Sequence, residues 1–240
     1  MARLLMVITG SDYFTFTDGT TKPTGFWAEE VVVPHELFRS AGIEVDIATP
    51  GGVEPPLDQG SMAPEMNEGG PQAIEHYREY LASIKDMRHP LVLEDLTNEQ
   101  IEGYDAIFLP GGHGPMEDLA YSEALGRVLK AAQVRNKLIV AVCHGPAGLL
   151  TATEESGNWT FNGYEVTGFT NQEEEAVGLA TKAPFLLETK IRELGGQFKV
   201  GNPWMSHVVI DRNLITGQNP ASSAGVAQST LERLGASLSV

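Results

Sequence analysis

A single cysteine, Cys143, closes the apolar run Leu138-Ile139-Val140-Ala141-Val142 and is followed by His144-Gly145-Pro146-Ala147-Gly148. A thiol acts as a nucleophile only when ionised, so its surroundings decide what it can do. An apolar stretch of this length reads as a buried parallel strand, and the small residues after it suit a chain turning sharply into a helix start. The order small-x-nucleophile-x-Gly is that of a nucleophile elbow, with sulfur in place of a hydroxyl. At such a corner the sulfur would face the positive pole of the next helix, which lowers a thiol pKa. Three units would correspond to roughly 4 kcal/mol and leave the group mostly thiolate at neutral pH. A lone cysteine is also among the most buried residue types, and the adjacent imidazole is what favours chemistry here.

Three further groups could serve that sulfur. Ala106-Ile107-Phe108-Leu109 runs into Pro110-Gly111-Gly112-His113-Gly114, where closely approaching amides could hold an anion or, with the amide after Cys143, an oxyanion. The stretch lacks the lysine of a P-loop and the spacing of a dinucleotide fingerprint. Glu30 lies three residues from Trp27 and four from Pro34 on an apolar helical stripe, so it points near the core, whereas Glu29 falls further round. In Glu173-Glu174-Glu175 two carboxylates are expected in solvent and the third could orient a histidine. Of six histidines, His144 adjoins the thiol, while His35, His76, His89, His113 and His207 are isolated. No pair has metal-ligand spacing, so neither a metal nor a cofactor is expected.

The elements that would position these groups alternate. Leu4 to Thr9, Glu44 to Thr49, Ala106 to Leu109 and Leu138 to Val142 read as strands separated by helix-sized intervals, which implies a parallel sheet with helices on both faces. Helices are predicted from about Phe26 to Ala41 with a kink at Pro34, from Ser122, from Pro184 to Gly195-Gly196, and from Pro220 to Leu234. Residues 51–95 read as a cap inserted beside the strand ends, proline- and glycine-rich at first, then an amphipathic helix from Ala73 to Lys85. Asn162-Gly163 predicts a hairpin within Trp159 to Val166, and Asp211-Arg212-Asn213 a second, joining Val208–Ile210 to Leu214–Thr216.

A chain of 240 residues, 42% hydrophobic and 20% charged, suits one α/β domain. A net charge of −16 argues against nucleic acid or an anionic membrane as partner. One cysteine excludes an internal disulfide framework and fits a reducing compartment, so a cytoplasmic location is expected.

Taken together, Thr24-Gly25-Phe26-Trp27-Ala28-Glu29-Glu30, Glu44 to Gly52, Leu109 to Gly114, Ala141-Val142-Cys143-His144-Gly145-Pro146, Val166-Thr167-Gly168-Phe169-Thr170 and Thr216 to Ser222 resemble the ThiJ/PfpI superfamily of class I glutamine-amidotransferase-like proteins. Within it they are similar to the heat-shock glyoxalase III and chaperone branch. The resemblance implies a flavodoxin-like sandwich, a Cys143 nucleophile, His144 as its partner, and an acidic third member placed at Glu174, with Glu173 as rival. It also implies that Glu30 hydrogen-bonds the thiol and that Gly112 and His144, beside Gly111, form the oxyanion hole. No His-x-Glu follows Cys143, which weakens a glutaminase reading. The implied activity is glutathione-independent conversion of methylglyoxal, or another small 2-oxoaldehyde, to a 2-hydroxy acid by a homodimer. The alternatives are protein or nucleotide deglycation, and a stress-response holding chaperone or cysteine redox sensor. A chaperone surface is expected at Ala73–Lys85 and at the Trp159 hairpin.

Overall fold

The computed structural model describes residues 2–236. Its strands are β1 (Arg3–Val7), β2 (Tyr13–Thr15), β3 (Thr21–Pro23), β4 (Glu44–Thr49), β5 (Leu91–Val92), β6 (Ala106–Leu109), β7 (Leu138–Val142), β8 (Glu165–Val166), β9 (Gln197–Phe198), β10 (Val208–Asp211) and β11 (Leu214–Gly217). The helices are α1 (Ala28–Ser40), α2 (Gly70–Ser83), α3 (Asn98–Glu102), α4 (Gly114–Glu117), α5 (Glu123–Val134), α6 (Asn171–Ala176), α7 (Leu187–Glu193) and α8 (Ser223–Leu234).

Seven strands form one sheet in the order β10-β11-β7-β6-β1-β4-β5, parallel throughout except for β10. The central strands are apolar on both sides because both sides are covered. Leu5 and Val7 of β1, Ile107 and Leu109 of β6, and Ile139 and Ala141 of β7 enter one core with α5 residues Leu125, Val128 and Leu129. Leu4 and Met6, Ala106 and Phe108, and Val140 and Val142 enter the other, against Val31 and Phe38 of α1 and Val226 and Leu231 of α8. This is the flavodoxin-like α/β sandwich, with the period-2 alternation of strand side chains feeding two helical layers. The chain moves outward from β1 to β4 and β5, then returns to β6 on the other side of β1. That reversal opens a crevice at the carboxyl ends of β1, β6 and β7, where open α/β sheets place their ligands.

Three elements differ from the sequence reading. Asn162-Gly163 does make a turn, with Gly163 at φ 77°, but no hairpin follows. Glu165-Val166 pair in parallel with Gln197-Phe198 instead, because α7 returns the chain alongside them. The inserted stretch is not wholly a cap, since Leu91-Val92 pair with Ala48-Thr49 and extend the main sheet. The residues after Cys143 form a 3-10 helix over Gly145–Thr151 rather than an α-helix. By contrast, the β10–β11 hairpin forms as read, with Arg212 left-handed at φ 56° and Asp211 opposite Leu214. Helix α1 continues through Pro34 to Ser40. No helix among the described residues is long and apolar enough to cross a membrane.

Candidate active site

Cys143 sits at the end of β7 in the left-handed region, φ 59°, a conformation that costs a non-glycine residue about 1–3 kcal/mol. The adjoining strand β11 and the loop between β8 and α6 hold it there. Its N–H donates to the Gly217 carbonyl at 3.0 Å, and its own carbonyl accepts from Phe169 N–H at 2.8 Å. The turn also needs Gly145, where a Cβ would come within 2.1 Å of the Leu109 carbonyl oxygen.

The structure brings four of the residues singled out above into one cluster. His144 Nδ1 lies 3.5 Å from Cys143 Sγ, and His144 Nε2 lies 2.7 Å from Glu174 Oε2. Glu30, wholly buried on the first turn of α1, accepts the Gly111 N–H at 2.6 Å through Oε2. Its carboxyl also neighbours the Cys143 sulfur, while Oε1 has no well-aligned partner among the described residues. Glu29 lies half-buried on the wall of the adjoining cavity.

Glu173 and Glu174 differ in their partners. Glu173 closes a capping box on α6, accepting Thr170 N–H and Oγ1–H at Oε2. Its Oε1 accepts Trp204 N–H, Gln218 Nε2–H and Asn219 Nδ2–H. Glu173 is therefore a structural tie, and Glu174 is the carboxylate facing the imidazole.

Sequence reasoning missed His113. It follows the glycine pair at the end of β6, 61 positions from Glu174, yet its Nε2 lies 2.8 Å from Glu174 Oε1. Its ring is 4.1 Å from that of His144, centroid to centroid. The signal available was its place beside Gly111-Gly112; its isolation among the histidines hid the rest. The potential ligand atoms of His113, His144 and Glu174 all lie within 4.8 Å of one another, a proximity no sequence spacing disclosed. Each carboxylate oxygen is already matched to one ring N–H, so the trio is complete as a hydrogen-bonded unit.

Two expectations are corrected. The Gly111 amide is committed to Glu30 and is no oxyanion donor; the Gly112 amide instead addresses the Cys143 sulfur. The thiol pKa is not lowered. Burial pushes it well above its ordinary value, and the Glu30 carboxylate adds to the rise, with only the Gly112 N–H opposing. A 3-10 turn offers a weaker aligned dipole than an α-helix, and a buried neighbouring acid outweighs it. Burial likewise raises Glu30 to about 8, against the pull of the Gly111 N–H and the thiol. Each of the two groups therefore resists ionising while the other is charged. With Oε2 occupied by Gly111, the carboxyl proton belongs on Oε1. Burial lowers His113 to about 4, His144 opposing its charge as well. For Glu174, burial works against the charge, but His144 and His113 together hold the carboxyl well below the usual range.

Cys143, His144 and His113 line a cavity of about 1070 Å³ whose walls include Trp27, Phe169, Trp204 and Met205. It opens at the crevice beside β1, β6 and β7, where a glycine-rich turn, a strained thiol and an imidazole–carboxylate pair converge.

The sequence from 22 to 233 matches the model of the DJ-1/PfpI family. This chain belongs to the DJ-1/PfpI family. Among its relatives, the "Glutamine amidotransferase-like class 1 domain-containing protein 1" of Bos taurus is 33% identical over 195 residues, 81% of this chain and 82% of that protein. The "Protein/nucleic acid deglycase HchA" of Pseudomonas aeruginosa is 30% identical over 92% of this chain and 77% of its own length. "Glyoxalase 3" of Candida albicans is 26% identical over 96% of this chain and 98% of its own. The X-ray structure of the Francisella tularensis Rapid Encystment Protein superposes with a TM-score of 0.87 at 32% identity, covering 98% and 99% of the two chains. The Candida albicans glyoxalase III structure shares the fold, with a TM-score of 0.77 over 96% of each chain.

Proposed function

We propose that this family member converts methylglyoxal, or a related 2-oxoaldehyde, to the 2-hydroxy acid without glutathione. The observation that carries the reading is the Cys143 thiol on its strained turn, 3.5 Å from an imidazole whose far nitrogen is held by a buried carboxylate. Relatives named glyoxalase and deglycase support it.

The thiol proton passes to His144 Nδ1 as sulfur adds to the aldehyde carbon, giving a hemithioacetal. The new oxyanion lies against the Gly112 and His144 amides. The proton on His144 Nδ1 passes to that oxyanion, giving the neutral hemithioacetal, and the freed Nδ1 takes the carbon-bound proton from the former aldehyde carbon, so that an enediolate forms. Reprotonation at the neighbouring carbon leaves a thioester and a new carbinol, so one carbon is oxidised as the next is reduced. Water cleaves the thioester, releases the hydroxy acid and restores the thiol. Acid–base help of this kind typically contributes 10²- to 10⁴-fold. The proton on Glu30 stabilises negative charge as it develops on sulfur.

The alternative with a specific observation behind it is deglycation, since the cavity of about 1070 Å³ greatly exceeds a three-carbon aldehyde. The chaperone reading has less behind it. Trp159 is buried, and the apolar face of α2, through Ile74 and Tyr77, packs on Ala28 and Val32 of α1. A cytoplasmic homodimer remains part of the proposal.

The test is incubation with methylglyoxal in the absence of glutathione, with product identification. Lactate from the wild type and none from Cys143→Ala is the expected result. Equal turnover by Cys143→Ala removes the basis of the reading, and an isolated adduct cleaved while free aldehyde is trapped favours deglycation.

A further inference from the structure

His113 takes no part in the steps above, yet it is buried within the cluster. We infer that His113 is a positioning residue that fixes the tautomer of His144, so that the lone pair of His144 Nδ1 faces the thiol; the inference deepens the reading above and rests on it.

An ionised carboxylate has no proton to donate, so each ring that meets Glu174 must donate to it. His144 Nε2 is 2.7 Å from Oε2 and His113 Nε2 is 2.8 Å from Oε1. A neutral imidazole donating from Nε2 carries its lone pair on Nδ1, and His144 Nδ1 is the atom 3.5 Å from sulfur. With one imidazole alone, the second oxygen of Glu174 would be buried without a donor, and the carboxyl could rotate or take up a proton and donate in reverse. His113 closes both routes by occupying that oxygen.

Its own ring is fixed from several sides. It lies 4.1 Å from the His144 ring, tilted by 40°, with Phe14 at 5.3 Å and Phe169 edge-on at 6.3 Å. Burial keeps His113 neutral, so it adds no charge beside the imidazolium that forms on His144. When the thiol proton reaches Nδ1, Nε2–H remains on Glu174 and no proton leaves the trio.

The experiment compares His113→Phe, which removes the donor, with His113→Gln, whose amide N–H reaches the place of Nε2. Three readouts are used: the tautomer of His144 from ¹⁵N-histidine NMR of the resting protein, the alkylation rate of Cys143 by iodoacetamide, and methylglyoxal turnover. The wild type should show His144 protonated on Nε2. The Phe variant should show mixed tautomers, slower alkylation and a kcat lower by about 10- to 100-fold with KM changed less than about threefold, by analogy with the partners that orient metal-ligating histidines through their second nitrogen. The Gln variant should recover to within about fivefold. His144 protonated on Nδ1 in the wild type, or a Phe variant with unchanged tautomer and kcat, overturns the inference. If the Phe variant does not fold, the wild-type spectrum and the Gln variant still decide. If the wild type turns over no methylglyoxal, the proposed activity fails, while tautomer and alkylation rate still report on His113.

Discussion

At the residue scale the site is a set of titratable groups moved off their ordinary values by burial, and the signs give testable consequences. Glu30, raised to about 8, binds a proton more tightly when folded than when unfolded. Its contribution to stability is therefore full below its unfolded pKa and is lost as pH rises through the folded one. In a Cys143→Ala background, which removes the sulfur that is coupled to the carboxyl, Glu30→Gln should gain stability over its parent between pH 5 and 9. Up to roughly 4 kcal/mol is expected, read from urea unfolding at each pH. A constant difference between the two would show that Glu30 is not buried as an acid. His113 and Glu174 act in the opposite direction. Both have lowered folded values, so their stabilisation is present at neutral pH and is lost as pH falls. The melting temperature should fall steeply between about pH 6.5 and pH 4, where His113 must charge inside the cluster, and less steeply in His113→Gln. Identical pH curves would remove His113 from that transition.

At the element scale, two adjacent glutamates of α6 divide the work of structure and chemistry. Glu173 accepts from Thr170 at the head of its own helix and from Trp204, Gln218 and Asn219 on loops far along the chain. Glu173→Ala would leave these buried donors without an acceptor, a loss of about 3–5 kcal/mol, and proteolysis near Trp204 should quicken. Glu174→Gln should leave global stability within about 1–2 kcal/mol but lower kcat by 10²- to 10⁴-fold, since the imidazole loses its ionised partner. Unfolding titrations and turnover on the same two proteins separate these outcomes, and the reverse pattern would exchange the roles of the two residues. The elbow makes a similar demand. Gly145→Ala sets a Cβ against the Leu109 carbonyl oxygen, backbone that cannot yield without moving β6 away from β7. Activity should vanish with a stability loss of about 2–4 kcal/mol, whereas full activity would mean that the turn is looser than described.

At the scale of the whole molecule, 32 acids against 16 bases leave a charge of −16 to be held in one compact body. Self-repulsion of that size is screened by salt, so raising NaCl from about 20 to about 200 mM should stabilise the fold by about 1 kcal/mol, or roughly 2–4 °C in melting temperature. A fall in melting temperature would show that surface ion pairs such as Lys199–Glu165 outweigh the repulsion. How far this molecule could be read from its residues follows from the range of the forces concerned. The alternation of Leu138 to Val142, the small residues after Cys143 and the stripe that turns Glu30 inward are local patterns, and local patterns report which face is buried. They were enough for a parallel sandwich with a thiol at a strand end. They could not say that Glu165-Val166 would pair with Gln197-Phe198, because that pairing depends on how α7, which lies between them in the chain, returns the backbone alongside. Nor could they place His113, 61 positions from Glu174, or commit the Gly111 amide to a carboxylate 81 positions earlier. The protonation of Cys143 was decided last of all. A helix pole is visible in the order of residues, but desolvation and a buried acid are properties of the closed core, and here they set the thiol in the opposite direction.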